Sequence, residues 1–287
     1  RDIDRRASGK PPQSAAMPFW QQPPPSPPPP PVIDIGVLNR TWLGGLVAVH
    51  AAIYLILRFL YGARQGPKAQ STFAAVVTYN ITATCFACYT TVLGFRAWYG
   101  GEVDAIGATA QGRLYGGSET FQVLASATAV YEVYNTALTA VMPEYRTLDF
   151  VGHHFTTFLL ALFGSYPFLN YYGVFFFGVA SVSSIPLCAA ELAKCLGSTQ
   201  LLFAFQATFA LFFVGFRTIY WPYVSLHFWA DSVAALRGEA GTNAPAVHSG
   251  AAFALFFVAN VGLTGLQLLW TTKILKAATG GDKAKTA

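Results

Sequence analysis

The sequence predicts an all-α fold, a polytopic membrane helix bundle of about seven transmembrane helices. Of its 287 residues, 54% are hydrophobic and only 11% are charged, whereas roughly 25% of residues are charged in ordinary soluble domains. Long apolar segments recur along the chain, separated by short polar connections. A backbone that crosses a bilayer must satisfy its own hydrogen bonds, so segments of this length are expected to be helices.

Each of the seven apolar segments is near or above the roughly 20 residues needed to span a bilayer. The segments are 41–62, 72–98, 119–141, 148–165, 171–193, 200–229 and 248–276. Gly164, Pro167 and Asn170 break the chain between the fourth and fifth segments, which predicts a tight hairpin there. Pro222 is expected to kink the sixth segment or to end it early, because proline cannot donate a helical hydrogen bond.

The two ends of the chain differ in composition from this central part. Residues 1–37 are predicted to be a disordered proline-rich tail, since prolines fill positions 23–31 except for Ser26, and such a run adopts extended polyproline II rather than packing into a core. Residues 38–277 form the predicted transmembrane domain, and residues 278–287 a basic C-terminal tail.

Basic residues near the segment ends predict the orientation of the chain, because loops on the cytosolic side are enriched in Lys and Arg. Nine basic residues fall on the side that holds the C-terminus, against four on the other side. The C-terminus is therefore expected on the cytosolic, matrix or stromal side. The nine are Arg58, Arg64, Lys68, Arg146, Lys194, Lys273, Lys276, Lys283 and Lys285, and the four are Arg40, Arg96, Arg113 and Arg237.

The fourth segment opens with three ionisable side chains, Asp149, His153 and His154. Ionisable groups inside a membrane normally face the bundle interior or a wet cavity. On a helix Asp149 and His153 are i,i+4 neighbours, so the aspartate is expected to orient this imidazole, while His154 faces elsewhere. These three residues are the predicted catalytic group, and their helix is expected to line a polar pocket.

Other polar side chains within the apolar segments are predicted to bind substrate. They are Tyr131, Glu132 and Asn135 in the third segment, Ser183 in the fifth, Arg217 in the sixth and Gln267 in the seventh. A structural alternative is that Glu132 and Arg217 form a buried ion pair. In that case the hydroxyl and amide groups serve as interhelical hydrogen bonds of about 0.6 kcal/mol each.

Several activities are disfavoured by the motifs. There is no His-Glu-x-x-His zinc motif and no Gly-x-Ser-x-Gly nucleophile elbow. Adjacent histidines diverge around a helix, so a shared metal is not expected, and no basic stripe with exposed aromatic residues indicates nucleic-acid binding. General acid–base chemistry by the histidines is the activity that the pattern favours.

Three motifs resemble the TLC-domain family, which includes the ceramide synthases. They are Leu148–Thr157 with its Asp and paired His, Phe213–Arg217, and the final Gly262–Lys276 with Gln267 and Trp270. The resemblance implies an all-helical bundle of six core spans with one additional N-terminal span. It also implies an acyl chain held between helices with the two histidines at its reactive end, and residence in the endoplasmic reticulum; the mitochondrial inner membrane and the thylakoid are alternatives.

Two functions follow as hypotheses. The first is acyl transfer from a thioester co-substrate to an amine or hydroxyl, with no other cofactor. In this hypothesis His153 removes the proton of the nucleophile, and His154 binds or protonates the leaving group. Arg217 holds an anionic head group or stabilises the developing oxyanion. The second is a non-catalytic accessory subunit of a larger membrane complex. Such a subunit would contact lipids and partner subunits through its proline-rich tail and through aromatic faces such as Tyr171–Gly178.

Overall fold

The computed structural model describes residues 40–61, 67–165, 168–237 and 250–279, and every regular element in these ranges is a helix. The predicted tail at 1–37 and nearly all of the one at 278–287 lie outside the described residues. The all-α fold is therefore confirmed for the part of the chain that the structure describes.

The helices follow one another along the whole described chain. They are α1 (Arg40–Tyr61), α2 (Pro67–Tyr99), α3 (Asp104–Gly107), α4 (Ala110–Tyr115), α5 (Glu119–Val141), α6 (Leu148–Phe163), α7 (Asn170–Gly173), α8 (Ser184–Cys195), α9 (Thr199–Phe212), α10 (Trp221–Leu236) and α11 (Gly250–Ala278). The chain is π-helical at Val174–Gly178, 3₁₀-helical at Val179–Ser183 and π-helical again at Phe213–Tyr220.

Five helical spans in the described residues are long and apolar enough to cross a membrane. They are Arg40–Leu60, Thr72–Tyr99, Asn170–Cys195, Thr199–Leu236 and Phe253–Ala278. The third and fourth predicted segments form α5 and α6; α6 is apolar but only 16 residues long. The protein is therefore an integral membrane helix bundle.

Helix α1 lies at the edge of the bundle. Its most apolar stretch is 0% buried within the protein. Leu43 and Leu46 pack beside a small cluster around Tyr131 and Tyr134, and His50 Nδ1 shares a hydrogen bond with the Tyr134 hydroxyl. This peripheral position agrees with an additional N-terminal span outside a core of helices.

The span that contains α7 and α8 is irregular where it crosses α2. The π-helical and 3₁₀-helical segments meet near Gly178, whose backbone packs directly on Gly94 of α2. A Cβ added to Gly94 would lie 2.4 Å from the Gly178 Cα. The two backbones can approach this closely only because neither residue carries a side chain.

We therefore expect Gly94→Ala to destabilise the protein by about 1–3 kcal/mol or more, since overpacked cores must shift backbone to accommodate added atoms. The measurement is the midpoint of thermal unfolding of purified protein in detergent. Gly152→Ala is the matched control, because a Cβ there meets nothing within 4 Å. Equal midpoints for the two variants would contradict the proposed close contact.

Pro222 does not end the sixth span, so that part of the sequence prediction is wrong. The span runs without a break from Thr199 to Leu236, 38 residues, or about 57 Å at 1.5 Å per residue. This is longer than the roughly 30 Å hydrocarbon core. Pro222 lies in the first turn of α10, directly after the π-helical segment, and the changed hydrogen-bond register there accommodates its missing N–H.

The chain breaks between the fourth and fifth segments as predicted, but a tight hairpin is not seen, because α6 packs mainly on α5 and α11 rather than on the span that follows it. Pro167 lies outside the described residues. Helix α6 ends at Phe163, α7 begins at Asn170, and Leu169 between them has a left-handed φ of 59°. Its N–H donates to the Leu114 carbonyl over 2.7 Å. This hydrogen bond holds the turn against α4.

The sequence analysis did not predict α3 and α4; Tyr115 of α4 packs against Phe253, close to the start of α11. Arg113 of α4 binds Asp231 of α10 through two hydrogen bonds, Nε–Oδ2 at 2.6 Å and Nη2–Oδ1 at 2.7 Å. Its Nη1 donates to the Gly107 carbonyl over 2.7 Å, and the Tyr172 hydroxyl donates to the same aspartate. This polar cluster fastens the short helices to α7 and α10.

Candidate functional site

An elongated cavity of about 420 Å³ runs through the bundle. Along α11 its wall extends from Phe256 to Ile274, or about 27 Å at 1.5 Å per residue. That length approaches the roughly 30 Å thickness of the hydrocarbon core. The volume falls within the range of about 300–1,000 Å³ that is usual for ligand sites.

Five aromatic side chains surround one end of the cavity, which we call the aromatic end. They are Phe121, Phe168, Tyr172, Phe228 and Phe256. Two pairs among them are in ring contact, with centroids 5.4 Å apart for Phe168–Phe256 and for Tyr172–Phe228, while Phe121 stacks on Phe177. Tyr172 is also hydrogen-bonded to Asp231, so the polar cluster around Arg113 supports this end.

A carboxylate–imidazole pair projects into the cavity from the facing helices α5 and α6. His154 Nδ1 lies 2.7 Å from Glu132 Oε2, and Asn135 Nδ2 lies 2.9 Å from the same Nδ1 and 3.3 Å from His154 Nε2. Glu132 is 6% exposed and Asn135 is 1% exposed. Because the carboxylate accepts the Nδ1 proton, Nε2 is the basic nitrogen of His154.

His153 lines the same cavity but is held differently. Its Nδ1 is buried and has no hydrogen-bond partner among the described residues. The ring lies edge-on to Trp270 of α11 at 5.3 Å and to His154 at 5.1 Å, measured between ring centroids. Packing rather than hydrogen bonding therefore orients this imidazole.

The structure contradicts the prediction that Asp149 orients His153. Asp149 Oδ2 instead accepts from Lys273 Nζ at 3.1 Å and from Trp270 Nε1 at 3.3 Å. The side chain lies at the first turn of α6, where the end of α11 presents a cation and an indole N–H. Asp149 therefore ties α6 to α11 instead of orienting His153.

Arg217 does not form the ion pair with Glu132 that was the structural alternative. Its Nε donates to Ser183 Oγ at 2.7 Å and to the Ala180 carbonyl at 3.2 Å, and its Nη2 donates to Ser184 Oγ at 3.3 Å. Ala180 and Ser183 belong to the 3₁₀-helical segment, and Ser184 is the first residue of α8. Arg217 lines the cavity together with both serines.

Two other predicted binding residues differ in their placement. Tyr131 lines the cavity and stacks on Phe86 with ring centroids 3.8 Å apart. Gln267 is fully buried, but it is not part of the cavity wall, and neither polar atom of its amide has a hydrogen-bond partner among the described residues.

The predicted site residues do not include two further polar residues of the wall, Thr128 and Thr157. Thr128 and Thr157 carry a signal that could have found them, since each lies about one turn from a predicted site residue on the same helical face. In the described part of the chain, no group of His, Cys, Asp or Glu is placed to hold a metal ion.

Comparison with known protein families gives one match. A family model described as the TLC domain matches residues 74–276, which is most of the chain. The chain belongs to the TLC-domain family. The match begins inside α2 and ends inside α11, so it includes every element that lines the cavity and excludes α1. No curated protein and no solved structure matches the chain.

Membership of the TLC-domain family supports a membrane protein with a lipid-related role. The Glu132–His154 pair, His153 and Arg217 all lie within the matched residues. The arrangement can bind a long apolar chain along the cavity and can move a proton at the His154 Nε2 atom.

Proposed function

We propose that this TLC-domain protein binds an acyl lipid in the cavity and transfers the acyl group from a thioester to an amine or hydroxyl. The observation that carries the proposal is the Glu132–His154 pair, which places an oriented base on the wall of a mainly apolar, membrane-length cavity. A carboxylate that fixes the tautomer and position of an imidazole is the arrangement used to activate weak nucleophiles.

In the proposed reaction His154 Nε2 removes a proton from the attacking amine or hydroxyl as the new bond to the thioester carbonyl carbon forms. The carbonyl electron pair moves to oxygen, and it returns as the carbon–sulfur bond breaks. The thiolate leaves with that bonding pair and takes up the proton from His154. Glu132 stabilises the imidazolium that exists between the two proton transfers.

Two other cavity residues have supporting roles in this proposal. Arg217 faces the developing oxyanion, which a fixed cation stabilises strongly in a dry site. His153 lies beside His154 and offers a hydrogen bond to the departing sulfur. These assignments exchange the histidine roles expected from the sequence, because Glu132 contacts His154 rather than His153.

The test uses the full chain purified in mild detergent, supplied with palmitoyl-coenzyme A and either a long-chain amine or a long-chain alcohol. We expect an acylated amine or ester together with one free thiol per product molecule. Absence of product with both acceptors, from protein that is folded and monodisperse, would overturn the proposal.

A further inference from the structure

The orientation of the His153 ring depends on the rings that pack against it. Its Nδ1 has no hydrogen-bond partner among the described residues, and the χ2 torsion of a histidine has only broad minima of its own. Two rings lie edge-on to it, His154 at 5.1 Å and Trp270 at 5.3 Å between centroids. His154 is itself held by Glu132. Trp270 is therefore the other neighbour that limits how far the His153 ring can turn.

Trp270 is held in place by residues of two other helical segments. Its Nε1 donates to Asp149 Oδ2 over 3.3 Å, and Lys273 Nζ donates to the same oxygen over 3.1 Å. The ring of Phe213, in the sixth span, lies edge-on to the indole with centroids 6.4 Å apart. The hydrogen bond to Asp149 fixes the direction of the indole N–H, so Trp270 presents a fixed surface to His153.

A fixed neighbour matters because of the role that His153 has in the proposed reaction. There it offers a hydrogen bond to the departing sulfur, and hydrogen bonds weaken steeply when their angle departs from good alignment. A group that acts in a reaction must be held within about 0.5 Å of the productive geometry by neighbours whose own rotamers are locked. Trp270 is such a neighbour, since Asp149 holds its indole and its ring contacts His153.

We propose that Trp270 is a positioning residue for His153, acting through the edge-on ring contact. The inference rests on the proposed function and adds the residue that makes departure of the thiol efficient. It also gives the pair formed by Lys273 and Asp149 a consequence inside the cavity, because the same aspartate oxygen holds the indole.

The experiment compares two thioesters that share their acyl chain, palmitoyl-coenzyme A and the palmitoyl thioester of para-nitrothiophenol. Full-length purified protein is supplied with hexadecylamine as the acceptor. The nitrothiophenolate is a stabilised anion that leaves without assistance, so only the coenzyme A ester needs a well-placed His153. We expect Trp270→Leu to lower kcat by roughly 10²-fold with the coenzyme A ester, the usual effect of misplacing a group by about 1 Å. Its effect with the nitrothiophenyl ester should be much smaller.

Two further variants test whether Trp270 acts through His153. Trp270→Phe keeps an aromatic ring but loses the N–H that Asp149 accepts, so it should retain part of the rate with the coenzyme A ester. In the His153→Ala background, Trp270→Leu should cause no further loss that is specific to the coenzyme A ester. Such non-additivity is expected when one residue acts through another.

Phe256→Leu is the matched control, because Phe256 is also an aromatic residue of α11 in the cavity wall and lies about 21 Å from Trp270 along the helix. It should change both rates by the same factor. An equal loss with both thioesters in Trp270→Leu, or an undiminished specific loss in the His153→Ala background, would overturn this inference and leave acyl transfer intact. Release of no thiol from either thioester by the wild-type protein would overturn the proposed function, and this inference with it.

Discussion

Replacing His154 with alanine is expected to lower the rate of acyl transfer by roughly 10²–10⁴-fold, the usual contribution of a positioned general base. The variant removes the Nε2 atom that takes the nucleophile's proton and leaves the rest of the cavity in place. The measurement is the initial rate of product formation from palmitoyl-coenzyme A, with the thiol released counted in parallel.

Two variants separate catalysis from folding. His227→Ala is the control, because His227 is an exposed histidine of α10 outside the cavity wall, and its rate should match wild type. Glu132→Gln keeps the shape of the side chain but removes its charge, so it should lower kcat and leave the KM for the thioester unchanged. A wild-type rate in His154→Ala would contradict the assigned role.

The second large effect is expected at Asp231, which anchors α4 to α10. Asp231→Ala should destabilise the protein by about 3 kcal/mol, because it breaks a largely buried ion pair. We take the lower end of the usual cost, since the Arg113 side chain is 22% exposed. Arginine keeps its proton in proteins, so the variant leaves Arg113 charged and without its carboxylate partner. The midpoint of thermal unfolding in detergent measures the loss.

Lys194→Ala is the control for that experiment. Lys194 and Glu191 form an i,i+3 surface pair at 3.6 Å, with the lysine side chain 66% exposed, and such pairs contribute about 0–1 kcal/mol. We expect its midpoint to stay close to wild type. A similar small change in Asp231→Ala would mean that the Arg113 cluster does not hold the short helices in place.

Hydrophobic pattern alone was enough to predict the helical bundle. Each of the seven apolar segments coincides with a helix or a helical span, because a run of span length has no other way to satisfy its backbone in a bilayer. The same pattern could not reveal the irregular segments before α8 and α10. The first of these segments packs against α2 through the contact of Gly178 with Gly94, and the second directly precedes Pro222. Neither feature changes the hydropathy of its segment.

The sequence predicted several residues that line the cavity, but it did not predict their contacts. The sequence predicted His153, His154, Glu132 and Arg217 as site residues because charged groups in an apolar segment need an interior position. Their partners could not be deduced from spacing, since the choice between Asp149 and Glu132 depends on which helices face one another.

Asp231 was missed for a different reason. The predicted sixth segment ends at residue 229, so Asp231 lay outside it, whereas α10 continues to Leu236. Arg113 likewise lay in a connection with no predicted helix. Only the packing of α4 on α10 reveals that the two side chains meet.

The most direct test of the central claim is to identify the lipids bound to the purified protein by native mass spectrometry. We predict about one acyl lipid per wild-type chain and reduced occupancy in Thr157→Trp, whose added ring fills the cavity beside His153. Phe155→Trp, on the exposed face of the same helix, should retain the lipid. A wild-type particle that carries other subunits and no acyl lipid would contradict the account and favour an accessory role.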